Sequence, residues 1–210
     1  MAPKGSKGGA KASGDDTRAR LLEATRRCLQ AEGIAGASAR AIARHGDLNQ
    51  ALVFYHFGSV DGLLQAAARD DAAERAELYR DRLADVTTLA ALVAVGREIH
   101  DVEQANGSAA VLAQLLAGSV SSPTLAEAIH DGMTTWTDLV SDALGRVVAG
   151  TPLGGVVPLD DLAFAISSLF LGMELMGALD PDVDRVAGLF ASLGPVSQVL
   201  DALLGAKPTS

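Results

Sequence analysis

Residues 38–57 read SARAIARHGDLNQALVFYHF, and this stretch decides the fold. Ser38 is a helix N-cap candidate, because its hydroxyl can accept a hydrogen bond from an orphan N–H of the first turn. Residues 39–45 follow as a short helix with Ile42 as its buried anchor. Gly46-Asp47 supplies a tight turn, since both residues tolerate the conformations a reversal needs. Leu48 plugs the angle between two helices. Asn49 caps the second helix, and residues 50–55 form its body. Val53 and Phe57 face inward beside Leu48, which leaves Gln50, Ala51, Phe54 and Tyr55 on the outer side. The pattern is a helix-turn-helix, and in such a motif the N-terminal end of the second helix enters the DNA major groove.

The stretch resembles the DNA-binding region of the tetracycline-repressor (TetR) family of bacterial transcriptional regulators. The residues that carry the resemblance are Ile42-Ala43, the turn Gly46-Asp47-Leu48, Asn49, and the run Phe54-Tyr55-His56-Phe57. Three departures stand out. Gly46-Asp47 replaces the usual Ala-Gly. Phe54 stands where a tyrosine is common, and Val60 where many members carry a lysine. The last two remove possible contacts to the DNA backbone.

The side chains of the motif suit that role. A Gln50 amide pairs in bidentate fashion with adenine N6 and N7, and Ala51 is small enough to meet a thymine methyl. Phe54 lies beside them, and Tyr55 offers a hydroxyl to phosphate. His56 either contacts phosphate or caps local backbone. Ser38 and the first N–H groups of its helix can take a phosphate. Arg40 and Arg44 add non-specific attraction or pair with Asp47.

Outward from the motif, helical spacing persists. Nearly half of the 210 residues are apolar and only 4% aromatic, and alternating β-branched runs are scarce. The expected fold is all-α: a three-helix DNA-binding head over residues 15–60, then a C-terminal helical bundle over 61–210, nine to ten helices in total. The net charge of −9 argues against indiscriminate nucleic-acid binding, but it is uneven. Residues 1–58 carry nine Lys/Arg against five acids, whereas the remainder carries eight against 21. A cationic head on an anionic body orients the molecule on a polyanion.

Residues 1–14 are rich in Gly, Ala and Lys and are expected to be disordered. They form either a solvated tail or a basic arm whose Lys7 and Lys11 touch DNA. The first ordered helix is expected from Asp15-Asp16 to about Ala31, with Gly33 as its stop. Ser59 caps a helix that reaches about Asp85. Further helices are expected over 88–104, 109–118, 124–148 and 159–179. A last one begins near Asp182, and Gly194-Pro195 should bend or split it.

By the resemblance, the body binds a small-molecule effector. Polar or soft residues among apolar helices mark a pocket: His100, Gln104, Met133, Trp136, Met173 and Glu174, with Gln114, His130 and Met176 as further candidates. Glu174 needs a partner in its apolar helix. That partner is a ligand, an arginine such as Arg185, or the rim of a dimer. The last two long helices hold more apolar surface than one bundle covers and are dotted with small residues, which points to a two-fold homodimer.

Cys28, the single cysteine, reads as a small buried hydrophobe rather than a redox sensor. No phosphate loop, nucleophile elbow or metal-spaced cluster is evident, so no enzyme, metal or cofactor is expected. A metal held by His100 and His130 near Glu103 is the weak exception. The N-terminus lacks an apolar core and the longest apolar run is interrupted by Glu174, so a cytoplasmic protein without a membrane span is expected. The expected partners are an operator duplex, an effector and a second copy. The alternative is a helical ligand-binding or interaction protein whose head no longer reads DNA specifically.

Overall fold

The computed structural model describes residues 8–177, 179 and 184–205, with side chains from residue 14 onward. Among the described residues the structure is all α-helical. The order is α1 (Gly8–Gly36), α2 (Ala39–Gly46), α3 (Ala51–Phe57), α4 (Val60–Ala84), α5 (Leu89–Asn106), α6 (Ser108–Ser119), α7 (Pro123–Val148), α8 (Leu159–Gly177) and α9 (Arg185–Leu204). The chain forms two compact units: one runs to Asp70 and takes in Gln114–Ile129, and the other comprises Asp71–Ala113 and the chain from His130 onward.

In the first unit, α1 to α3 and the start of α4 enclose one core. Leu21, Leu22, Ala24, Cys28, Ile42, Val53 and Leu63 are buried there, with Leu48, Leu52 and Phe57 packed against them. Each large aliphatic side chain removed from water contributes about 1.5–3 kcal/mol. The Ser38 hydroxyl accepts from the Ala41 N–H at 3.2 Å, and the Ser59 hydroxyl accepts from the Gly62 N–H at 2.9 Å. A side-chain carbon at Gly62 would collide with the Phe57 carbonyl oxygen, so only glycine lets α4 begin this close behind α3.

Helix α1 departs from expectation at its start. It begins at Gly8 rather than at Asp15, because Ala10, Lys11 and Ala12 favour helix and continue it backwards. Residues 1–7 and the Lys11 side chain lie outside the described residues, as does the arm's proposed contact through them. At the other end Gly33 leaves the helical conformation with φ 67°, as the expected stop does, and the chain then makes one more turn to Gly36. The Ile34 N–H donates to Gln114 Oε1 at 2.8 Å.

In the second unit, Tyr79, Leu83, Val86, Ile99, Ala143 and Val147 form the main core, with Trp136 packed against it. Two long-range caps hold helix ends. Arg146 Nη2 donates to the Leu83 carbonyl at 2.7 Å, at the end of α4. Asp201 on α9 accepts from the Leu89 and Ala90 N–H groups at 2.7 and 2.9 Å, at the start of α5. A carboxylate placed there meets both the orphan donors and the positive end of the helix dipole.

Helix α9 does not split at Pro195; it is continuous to Leu204, and the Ser197 hydroxyl donates to the Gly194 carbonyl at 2.8 Å. Its expected start near Asp182 and the Asp180-Pro181 end of the preceding helix fall outside the described residues. The described α8 ends at Gly177. Val186, Phe190, Ser197 and Asp201 are the buried side of α9. Its other side is apolar and exposed through Leu189, Val196, Val199, Leu200 and Leu203, and α8 exposes Phe164, Leu169 and Met176. With a mean hydropathy of 1.4, α9 is long and apolar enough to cross a membrane by length and composition.

Candidate nucleic-acid interface and a buried polar cluster

The turn between α2 and α3 is built from two unequal residues. Asp47 adopts the left-handed conformation with φ 50° and ψ 50°, the only non-glycine among the described residues to do so. Its N–H closes α2 by donating to the carbonyls of Ala43 and Arg44. Glycine would occupy that conformation freely, whereas aspartate tolerates it at a cost. Gly46 is required for a different reason: a side-chain carbon there would lie 2.9 Å from Ala24 Cβ and from Leu48 Cδ1. The displaced glycine therefore buys close packing of α2 on α1 and leaves the strain on Asp47.

Helix α3 starts from Asn49, whose Oδ1 accepts from the Ala51 N–H at 2.9 Å. Gln50 already has helical angles and makes no side-chain capping bond. Val53 faces the core, while Gln50, Ala51, Phe54 and Tyr55 are exposed, Phe54 by 53% and Tyr55 by 81%. His56 is half-buried, edge-on to the Tyr55 ring with centroids 4.9 Å apart. Ser38 and Arg40 are exposed beside the start of α2. Arg44 does not pair with Asp47. It reaches Glu32 Oε1 on α1 at 2.6 Å instead. A cleft of about 550 Å³ behind α3 is lined by Arg18, His56, Phe57, Arg69 and Asp70, among others, and the Arg18 guanidinium sits 4.5 Å above the Phe57 ring.

The second unit holds a buried polar cluster. His100 Nδ1 lies 2.6 Å from Glu174 Oε1, and its Nε2 lies 3.2 Å from Asp184 Oδ1. Burial opposes the charge on His100, but the carboxylates of Glu174 and Asp184 together outweigh it and hold the imidazole pKa above its ordinary value. Asp184 is held low by the Ala187 N–H, with His100 adding to the effect. Within this chain Glu174 thus pairs with a histidine rather than with an arginine such as Arg185, one of its three candidate partners. Nearby, Arg75 Nη1 lies 3.0 Å from Glu103 Oε2. Burial raises the Glu103 carboxyl, against the pull of Arg75 and with help from Asp71 and Glu174. The hydroxyls of Tyr79 and Ser167 are buried without a hydrogen-bond partner among the described residues.

Of the other expected pocket residues, Trp136 packs edge-on against Tyr79 with centroids 6.1 Å apart. Met133 and Met173 are half-buried, and Gln104 is exposed. His130 and Met176 are exposed too, while Gln114 belongs to the first unit. The chemistry-bearing residues that sequence reasoning missed are Tyr79, Arg75, Glu103 as an acid in its own right, Asp184 and Ser167. Ser167 and Glu103 were signalled only by polarity among apolar helical neighbours, whereas Arg75 and Tyr79 lie in the highly charged later part of α4 and Asp184 caps α9.

Residues 21–67 match the model of bacterial regulatory proteins of the tetR family. The repressor AcnR of Corynebacterium glutamicum is 36% identical over 73 residues, which is 33% of this chain and 39% of that protein. The chain therefore spans well under half of that relative's length. The regulator BetI of Paraburkholderia xenovorans is 29% identical over 77% of this chain and 82% of its own. A crystal structure of a transcriptional regulator from Rhodococcus sp. Rha1 shares the fold with a TM-score of 0.70 at 23% identity, covering 92% of this chain and 98% of that one. Salmonella enterica GusR does so with a TM-score of 0.65 at 20% identity, covering 91% and 96%. The helix-turn-helix thus lies inside a segment, residues 21–67, that matches the tetR family of bacterial regulatory proteins, and the chain shares the all-helical fold of those solved structures.

Proposed function

We propose that this chain is a ligand-responsive repressor that binds a near-palindromic operator as a dimer. The observation that carries the reading is the outer edge of α3, where Gln50, Ala51, Phe54 and Tyr55 stand exposed while Val53 anchors the helix. Gln50 reads adenine and Ala51 a thymine methyl. Tyr55, His56, Ser38, Arg40 and the arm's Lys11 hold phosphates, and Asn49 fixes where α3 starts. Phe54 packs on the sugar-phosphate edge beside them.

Dimerisation follows from the apolar side of α8 and α9. One such module buries too little surface for useful specificity, and a two-fold dimer supplies two half-sites. A second copy fits that side better than a bilayer does. Asp201 ties α9 to the start of α5 from the opposite side, and a spanning helix would have to abandon that bond.

The effector occupies the second unit, near His100, Glu174, Met133, Met173 and Trp136, with Gln104 at the margin. Support comes from the unpartnered Tyr79 hydroxyl, since a buried polar group costs about 1–3 kcal/mol until something bonds it. The effector must favour the form that does not bind DNA, and α4 is the helix that carries the change. Selection of duplexes from a randomised pool tests the proposal. Enrichment of an inverted repeat supports it; a pool that stays random reassigns the chain to ligand binding without specific DNA reading.

A further inference from the structure

The first unit places three metal-ligating side chains together that no regulator function uses. Cys28 and Glu32 lie one turn apart on α1, hence on the same face. His45 reaches them from the last turn of α2. The Cys28 Sγ, a Glu32 carboxylate oxygen and a His45 ring nitrogen all lie within 4.8 Å of one another. His45 Nε2 is 2.6 Å from Glu32 Oε1. We propose that Cys28, Glu32 and His45 form a binding site for a divalent cation of the zinc class, which clips α1 to α2 in the DNA-reading head.

The donor set argues for that class. One thiolate, one imidazole and one carboxylate match zinc's preference, and three protein donors leave a fourth position for water. A tetrahedral zinc takes its donors at about 2.0–2.3 Å, which sets them roughly 3.5 Å apart. Glu32 and His45 must separate by about 1 Å to admit the ion. Their partly exposed positions allow this, and they form the rim of the site, with buried Cys28 as its floor.

Binding exchanges protons for metal. The Cys28 thiol releases its proton to solvent as the sulfur–metal bond forms, and His45 donates the lone pair of its neutral ring. Because the ligand sulfur must give up its proton to the ion's bond, binding tightens as pH rises. Arg44 is the competitor. Its Nη2 sits 2.6 Å from Glu32 Oε1, and its exposed side chain must yield that oxygen or leave the ion the other one.

The test is titration of the full, reduced chain with Co2+ and, separately, dialysis against Zn2+. Cys28 is the only cysteine, so any thiolate-to-cobalt charge-transfer band reports this site alone. The expected result is that band, one zinc per chain and a higher thermal midpoint with zinc. Cys28→Ser and His45→Gln should each lose the band and the zinc-dependent midpoint shift, and Arg44→Gln should bind cobalt more tightly. His45→Gln sits at a half-exposed position and keeps the test valid if the Cys28 variant fails to fold. No band in the unaltered chain, or a band that His45→Gln and Glu32→Gln leave unchanged, overturns the proposal. Glu32 then serves only as an ion-pair partner of Arg44 and His45.

Discussion

His100 Nδ1 and Glu174 Oε1 lie 2.6 Å apart, with both side chains almost wholly withdrawn from solvent. The pair joins α5 to α8, and Asp184 at the N-cap of α9 completes it from the other ring nitrogen. Phe190 lies against the imidazole with centroids 6.2 Å apart. A buried charge that loses its partner is left uncompensated, so breaking such a pair costs several kcal/mol. Glu174→Ala should lower stability by about 2–4 kcal/mol in urea unfolding. A loss below about 0.5 kcal/mol would mean the pair is not formed in solution.

The same cluster sets a pH dependence. The folded state holds His100 above its ordinary pKa, so it binds the proton more tightly than the unfolded chain does. The resulting stability is fully present below about pH 6.5 and is lost as pH rises through the folded-state value. Asp184 acts in the opposite sense: its pKa is lowered, so its contribution fades as pH falls towards that lowered value. His100→Gln should flatten the loss above pH 6.5 in thermal melts across pH, whereas an unchanged slope would assign the titration elsewhere.

Turn residues 46 and 47 should respond with opposite signs. Asp47→Gly removes a side chain from the left-handed conformation and should stabilise the head by about 0.5–1 kcal/mol. Gly46→Ala puts a carbon 2.9 Å from Ala24 Cβ and should destabilise it by about 1–3 kcal/mol. Chemical denaturation of both variants, read at one pH, checks the pair. Stabilisation by Gly46→Ala would place the strain at the wrong residue.

Gln50→Ala should relax sequence preference at one base pair by about 1–3 kcal/mol while leaving the salt slope nearly intact. Competition between cognate and single-mismatch duplexes measures it. Preference unchanged at every position would remove Gln50 from the reading role.

The apolar side of α8 and α9 should govern assembly. Val199→Asp or Phe164→Asp puts a charge among residues that are exposed within one chain, so neither should unfold the protomer. Sedimentation should show a shift from dimer to monomer, with near-unchanged helicity. A variant that remains dimeric would place the interface on another surface.

What was legible in the sequence was local. Ser38, Asn49 and Ser59 each accept from an N–H two or three residues ahead, so the chain itself announces these caps. The inward positions of Ile42, Val53 and Leu63 follow from helical period alone. Distant pairings left no such trace. His100 and Glu174 are 74 residues apart, and Asp201 caps a helix that begins 112 residues earlier. Glu174 announced a need for a partner, but only packing could choose His100 over Arg185. Gly194-Pro195 is expected to bend or split the helix, and the split does not occur: α9 stays helical along a side that Val186, Phe190 and Ser197 pack inward. Residues 8–14 misled in the opposite way, since low complexity outweighed the helix preference of Ala10 and Ala12.

The measurement that bears most directly on the central claim is fluorescence anisotropy of the purified chain on duplex fragments from upstream of its own gene. It is read at two salt concentrations, against an unrelated duplex of equal length. Tight, sequence-selective binding with two protomers per site is expected, with an affinity that falls steeply with salt. Binding no tighter than to the unrelated duplex, together with no enriched repeat from a random pool, would contradict it and leave the α3 edge without a role in reading DNA.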